Sequence, residues 1–376
     1  MKWIASQESL NELASELEPA SIVAFDTEAD SLHSYYDKVC LIQISAGADD
    51  YVVDPLTKID LTRLGEILSN PAVTKVFHGA DYDLRILRRD FGFSVVNFVD
   101  TMVCAQLLGY ESFGLSALLK QHFNVDADKS HQRADWSMRP LTSQMLAYAT
   151  MDTHYLIELQ AQLREKLEAL GRWDWAVEEF GRMESIKFRE AEEKEEGFRR
   201  IKGSNRLDRR GLAALSLLHD WRDGLARKSD RPPFKIIGNE AMLEISRALP
   251  TNIESLKSVK AVAPYHTSRF GREILSMMSK ARGLDESELP ARADSKGWVR
   301  DKNLERRLEK LKKVRDEVAE SLKIEQSLLA PKHVLTSIAE LDPKQLDDLD
   351  AVPSLRRWQK SVMGEQLVKA LTEPAV

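Results

Sequence analysis

The stretch Ile22-Val23-Ala24-Phe25-Asp26-Thr27-Glu28 decides how the first half of the chain is read. Four apolar residues, two of them β-branched and one aromatic, run into Asp-Thr-Glu. This is the pattern of a buried strand that ends in acid. Residues i and i+2 of a strand share a face, so Asp26 and Glu28 project side by side. Two carboxylates that close repel unless a cation lies between them, and carboxylate oxygens suit a hard divalent ion such as Mg²⁺ or Mn²⁺. Taken alone, the pair also fits a strand ending in a solvated acidic turn, so its meaning depends on what the rest of the chain supplies.

Outward from this strand, extended and helical patterns alternate. Residues 39–45 and 51–53 read as strands, 61–68 as a helix, 75–78 as a strand, 83–89 as a helix, 97–99 as a strand and 101–108 as a helix. This order predicts an α/β domain, a mixed sheet with helices on its faces. Upstream, Ser9-Leu10-Asn11-Glu12 has the capping-box pattern that opens a helix. Downstream, residues 143–170 read as one long helix, in which Tyr148 and Asp152 share a face at i and i+4. Between them, His78-Gly79-Ala80-Asp81-Tyr82-Asp83 follows a strand and opens a helix, where acidic residues also suit the helix dipole.

At 376 residues, 43% hydrophobic and 30% charged, the chain is long enough for more than one domain. It has no apolar run of membrane-spanning length, and Met1-Lys2-Trp3-Ile4-Ala5-Ser6 lacks a signal-type apolar region. Cys40 and Cys104 sit in apolar stretches, as buried thiols of a reducing cytoplasm do. The net charge of −6 is unevenly spread. Residues 1–170 carry 14 basic and 25 acidic side chains, a balance of −11, whereas residues 207–285 carry 14 and 9, a balance of +5. Such asymmetry fits an acidic, metal-neutralised site beside a module attracted to polyanions.

The second half repeats itself. Trp221-Arg222-Asp223 aligns with Val314-Arg315-Asp316, Pro250 with Pro343, and residues 253–259 with 346–352, always 93 residues apart. Two copies of one all-helical module are implied. Residues 171–206 read as a connector with a boundary near Asn205, and the stretch 296–315 as a basic helix.

In their order, Asp-x-Glu ending the first strand, H-G-x-x-x-D after a later strand and Y-x-x-x-D on a final helix resemble the DEDD superfamily of 3′→5′ exonucleases, in its tyrosine-bearing subgroup. Between the last two motifs, Gln132-Arg133-Ala134-Asp135-Trp136-Ser137-Met138-Arg139-Pro140-Leu141 resembles the Q-x-S-D-W-x-x-R-P-L signature of the ribonuclease D family, with Ala134 in place of Ser. Arg222-Asp223-Gly224-Leu225-Ala226-Arg227-Lys228 and Arg231-Pro232-Pro233-Phe234 resemble the HRDC domain. The second copy resembles a diverged HRDC domain that lacks the R-P-P-F run.

The resemblance implies a ribonuclease H-like exonuclease domain over 1–170, the connector over 171–206, an HRDC domain over 207–287 and an HRDC-like domain over 297–376. It implies catalysis by Asp26, Glu28, Asp83, Tyr148 and Asp152 with two divalent metal ions, Mg²⁺ or Mn²⁺. Asp26 would bridge both ions, Glu28 and Asp152 would complete the nucleophile-side site, Asp83 would hold the leaving-group ion, and Tyr148 would orient the attacking water. Thr27, Leu32, His78, Gln132, Trp136 and Arg139 are then candidate substrate contacts, although His78 equally suits a strand cap and Trp136 a core anchor.

The expected activity is a 3′–5′ exoribonuclease, cytoplasmic and monomeric. It would release nucleoside 5′-monophosphates while trimming tRNA precursors and other structured RNAs. A DNA exonuclease of the helicase-associated kind and a non-catalytic RNA-binding scaffold remain alternatives, because ligands that touch only metal or phosphate do not separate RNA from DNA. Every proposed ligand precedes Arg206, so truncation there is expected to leave the chemistry intact.

Overall fold

Six strands form one mixed sheet: β1 (Lys2–Ile4), β2 (Ile22–Ala29), β3 (Val39–Ala46), β4 (Asp49–Val53), β5 (Thr74–Phe77) and β6 (Phe98–Asp100). They lie in the order β1-β4-β3-β2-β5-β6. The pairs β2–β3 and β3–β4 are antiparallel, and β1–β4, β2–β5 and β5–β6 parallel. This is a computed structural model, and it describes residues 1–128, 130–184, 196–291 and 301–373. β1 carries no sequence pattern, being three residues long and exposed at Lys2 and Trp3. The helix after it, α1 (Gln7–Leu17), starts earlier than Ser9-x-x-Glu12 suggests. Its cap is Ser6, whose hydroxyl accepts the Ser9 N–H at 3.2 Å.

The remaining helices of this half are α2 (Thr62–Ser69), α3 (Asp81–Phe91), α4 (Thr101–Leu107), α5 (Leu115–Phe123), α6 (Ser143–His154), α7 (Leu156–Ala169) and α8 (Trp173–Glu184). The single helix read over 143–170 is thus two, broken at Tyr155 (φ −97°, ψ −3°). The break lets each half meet its own surface. α6 lies across β2, β3 and β4, while α7 buries Leu156, Leu159, Leu163 and Leu167 against β2, β5 and α4. At the break, the Tyr155 ring packs on Phe123, with centroids 5.0 Å apart. Among the described residues no helix is long and apolar enough to cross a membrane. Cys40 and Cys104 are both buried.

The internal repeat is present in three dimensions. The first copy is α9 (Arg209–Lys228), α10 (Asn239–Ala248), α11 (Ile253–Lys257) and α12 (Pro264–Gly283). The second is α13 (Lys302–Leu322), α14 (Gln326–Leu329), α15 (Lys332–Leu341) and α16 (Arg357–Thr372). α10 and α15 each end on a left-handed residue, Leu249 (φ 45°) and Asp342 (φ 51°). Arg222 donates to the Ile237 carbonyl and Arg315 to the Ala330 carbonyl, each at 3.2 Å and each pair 93 residues apart. Gly271 and Gly364 mark the same close approach. A Cβ there would meet Ile253 at 2.9 Å in one copy and Leu346 at 2.7 Å in the other. The charge run read over 190–197 lies mostly outside the described residues, and so does the start of the basic helix read from 296.

The chain divides into two compact units: Met1–Ala29 with Val39–Phe188 and Arg300–Val376, and Asp30–Lys38 with Arg189–Val299. In the first unit one hydrophobic core runs from the sheet through α8 into the second helical copy. Trp175 of α8 stacks on Trp358 of α16 at 4.8 Å and 14°. The Glu178 carboxylate accepts the N–H groups of Arg357 (2.8 Å) and Trp358 (3.1 Å), donors that the first turn of α16 cannot satisfy internally. Glu179 accepts the Trp358 indole N–H at 2.8 Å and pairs with Arg356 at 3.1 Å. Arg172 ties the Leu107 and Leu322 carbonyls together at 2.9 Å each. The second helical copy, read from sequence as a domain of its own over 297–376, therefore shares the core of the exonuclease half through its described residues. Truncation after Arg206, expected from the sequence to spare the chemistry, would cut that core.

In the second unit, α9 to α12 close around Leu215, Leu218, Met242, Ile245, Ile274 and Met278. The loop 30–38 belongs to this unit. The Asp30 carboxylate closes the loop by accepting the Lys38 N–H (2.8 Å) and the Ser34 hydroxyl (2.6 Å). Tyr35 donates its hydroxyl to Asp223 at 2.7 Å and its N–H to Asp230 at 2.9 Å.

Candidate active site

β2 delivers Asp26 and Glu28, and the i, i+4 spacing on α6 delivers Tyr148 and Asp152. Asp26, Glu28 and Asp152 each offer a carboxylate oxygen, and these three atoms lie within 4.8 Å of one another. The Tyr148 hydroxyl donates to Asp152. Asp83 stands beside the trio on the first turn of α3, its carboxylate accepting the Thr27 hydroxyl.

Asp83 owes its place to a turn that only certain residues can make. Gly79 has φ +74°, a conformation that disfavours side chains, and a Cβ there would meet the Met102 methyl at 2.8 Å. The Asp100 carboxylate then accepts the N–H groups of Gly79 (2.9 Å), Ala80 (2.8 Å) and Met102 (2.8 Å), joining the start of α3 to the start of α4. Thr101 donates its hydroxyl to the Phe77 carbonyl at 3.0 Å, so His78 Nδ1, 2.9 Å from the same oxygen, must be the donor to it. His78 is in this way held as a strand-end tie. Asp100 escapes the motif reading, although an Asp-Thr at a strand end is the ordinary signal of a helix cap.

Burial pushes all four carboxyls up, and repulsion within the cluster adds to it at Asp26 and Glu28. Asp26 is raised well above its ordinary value by burial first and then by Asp83, Asp152 and Glu28. Glu28 is pushed up to about 9 by burial, then by Asp152 and Asp83. Asp83 and Asp152 rise to about 7, each chiefly through burial. A cluster of oxygen donors whose charges destabilise one another is the donor set that a hard divalent cation neutralises.

The candidate substrate contacts fare differently. Trp136 is 1% exposed, with its ring 5.9 Å from that of Tyr148, so it backs the tyrosine and offers no stacking platform. All five Arg139 N–H donors are occupied by the Asp54 carboxylate, twice, and the carbonyls of Trp136, Met138 and Cys40. The assignment of Trp136 and Arg139 as substrate contacts is corrected: both pin the signature segment to the sheet. The buried Thr27 side chain serves Asp83 instead of an incoming nucleotide. Gln132 is exposed, and Leu32 is exposed on the loop 30–38 of the second unit.

The sequence and the fold are matched by comparison with known proteins. A family model described as a 3′-5′ exonuclease matches residues 1–168, and the HRDC domain model matches residues 211–278 and 305–371. The architecture is thus a 3′–5′ exonuclease domain combined with two HRDC domains. Ribonuclease D of Gluconacetobacter diazotrophicus is 30% identical over 367 residues, covering 96% of this chain and 91% of that protein. The crystal structure of Escherichia coli RNase D superposes with a TM-score of 0.72 at 28% identity, over 98% of each chain. Human exosome complex component 10 is 33% identical over 305 residues, 78% of this chain, but the chain spans only 34% of its length. The chain belongs to the ribonuclease D family of 3′–5′ exoribonucleases, enzymes that depend on divalent metal.

Proposed function

We propose that the chain removes nucleotides from the 3′ ends of structured RNAs, tRNA precursors among them, releasing nucleoside 5′-monophosphates with two divalent ions, Mg²⁺ or Mn²⁺. The observation that carries this reading is the convergence of the Asp26, Glu28 and Asp152 oxygens within 4.8 Å. The E. coli relative is described as an exoribonuclease involved in structured RNA processing, which favours RNA over DNA as substrate. The +5 balance of residues 207–285 suits them to phosphate contacts. Buried thiols fit the reducing setting of a cytoplasmic enzyme.

In this reading Asp26, Glu28 and Asp152 would hold the nucleophile-side ion, and Asp83, which accepts the Thr27 hydroxyl, would serve the leaving-group ion with Asp26. When bound, the ions make water nucleophilic at neutral pH and stabilise the departing alkoxide. Tyr148 orients the attacking water. Its phenol, raised by burial and then by Asp152, Glu28 and Asp26, stays protonated, so it acts as a hydrogen-bonding guide and not as a base.

Tyr148→Phe keeps the ring against Trp136 and deletes only the hydroxyl. The expected result is a kcat lower by roughly 10²–10⁴-fold with little change in KM. A raised KM with unchanged kcat would make Tyr148 a substrate contact. The reading as a whole is tested with purified protein and Mg²⁺ on matched RNA and DNA oligomers labelled at the 5′ end. Stepwise shortening of RNA is expected; shortening of DNA alone, or of neither, contradicts it.

A further inference from the structure

One buried polar group beside the carboxylates has no role in the scheme above. Gln43 on β3 is the strand partner of Asp26 on β2. Residues directly opposite on antiparallel strands point to the same face, with Cβ atoms about 4.5–5.5 Å apart. The same register places Leu41 opposite Glu28 and Ser45 opposite Ala24. α6 covers this face: Leu41 clusters with Met145 and Ala149, and the Ser45 hydroxyl bonds the Thr153 hydroxyl at 2.7 Å. Gln43 therefore lies under α6, next to Asp26, and is fully buried.

Neither Nε2 nor Oε1 of Gln43 has a hydrogen-bond partner in the structure. A buried amide left unpaired is destabilising, and native proteins pair nearly all such groups. Its neighbour Ser45 is satisfied by both Asp50 and Thr153. Its other cross-strand neighbour is apolar: Val52 on β4, fully buried. A valine or methionine would suit the strand and the packing better, so packing does not explain a glutamine at this position.

We propose that Gln43 is a positioning residue for Asp26: its Nε2 donates to the Asp26 carboxylate when that group is ionised and engaged with a divalent cation, fixing which oxygen faces the ion. This rests on the metal-dependent reading above. Outer partners of this kind orient metal-binding carboxylates in protein sites, and their loss typically weakens metal affinity by about 10–100-fold. A short chain from β3 would thereby set the geometry of a ligand on β2 without touching metal or substrate.

The test compares full-length wild type with Gln43→Met, which conserves length and removes the amide. Both proteins are stripped of metal, melted, and titrated with Mn²⁺ by calorimetry. The expected result is a metal-free melting temperature equal to or above that of wild type, with Mn²⁺ affinity lower by about 10–100-fold. A purely structural glutamine would lower the melt and leave the affinity alone. Equal affinities overturn the proposal while the metal-dependent reading stands; a wild type that binds no Mn²⁺ overturns both. Should Gln43→Met fail to fold, the wild type decides. The ¹⁵N-labelled side-chain amide of Gln43 must shift as Mg²⁺ is added, and a resonance that stays in place overturns the proposal.

Discussion

Asp26→Asn is expected to lower the rate of phosphodiester hydrolysis by several orders of magnitude, on the scale of about 1.4 kcal/mol per tenfold. Without metal, the same variant is expected to melt above the wild type. Both results follow from one feature. Asp26 faces Asp83, Asp152 and Glu28, so in the proposed reading it would be the shared ligand when ions are present, and without them it is a charge opposed by three others. The pH dependence has a definite sign. The folded values of Asp26, Glu28 (about 9), Asp83 and Asp152 (about 7) lie above those of an unfolded chain, near 4. The stability linked to these groups is then fully present below about pH 4 and is lost as pH rises through the folded values. Metal-free wild type should melt at falling temperatures from pH 5 to pH 9. Asp26→Asn should flatten that slope, and Mg²⁺ should restore most at the alkaline end. Calorimetric melts in chelator across this range, with and without Mg²⁺, are the measurement; parallel slopes in the two proteins would falsify the electrostatic account.

Loss of the second helical copy is expected to cost the nuclease half its fold. A chain ending at residue 300 lacks Leu311, Leu335, Trp358, Met363 and Leu367, all members of the core that includes the sheet. It also leaves Trp175 without its stacking partner and Glu178 and Glu179 without their donors. Such a chain should lose the cooperative melt of the nuclease half and keep at most that of the separate core of α9 to α12. The single substitution Trp358→Ala should destabilise by about 3–5 kcal/mol, the usual loss for a buried large aromatic. Its counterpart in the first copy, Tyr265, is 49% exposed, whereas Trp358 is 4% exposed. Tyr265→Ala should therefore change stability by less than about 0.5 kcal/mol. Urea unfolding of the two variants makes the comparison, and equal effects would show that the second copy merely rests against the nuclease.

What could be read in advance was whatever has a period or a fixed spacing. The run 22–28 became β2, and the i, i+4 pair on α6 met the D-x-E pair because strand and helix geometry require it. The offset of 93 anticipated α9 to α16 closely, down to the paired Arg222 and Arg315, while the matching close approach at Gly271 and Gly364 emerged only in the structure. What escaped notice depends on distant partners. The break at Tyr155 reflects two different surfaces under one helical pattern. The docking of α16 on α8 uses Glu178 and Glu179, which look like ordinary solvated charge in a helix. Arg139 and Trp136 sit in a recognisable signature, but only their neighbours reveal that they brace the sheet. Gln43 stands inside an apolar run, where alternation says that it is buried and nothing says what it faces.

The two helical copies descend from one pattern, yet they have ceased to be interchangeable. Residues 356–358 meet α8 through Arg356, the Arg357 N–H and the Trp358 indole. The matching residues of the first copy are Ala263, Pro264 and Tyr265. Grafted into the second position, they would offer no guanidinium to Glu179, and proline would bring no N–H to Glu178. Three substitutions are thus enough to make the duplication a one-way step: the first copy's residues could not supply the contacts by which the second completes the nuclease core.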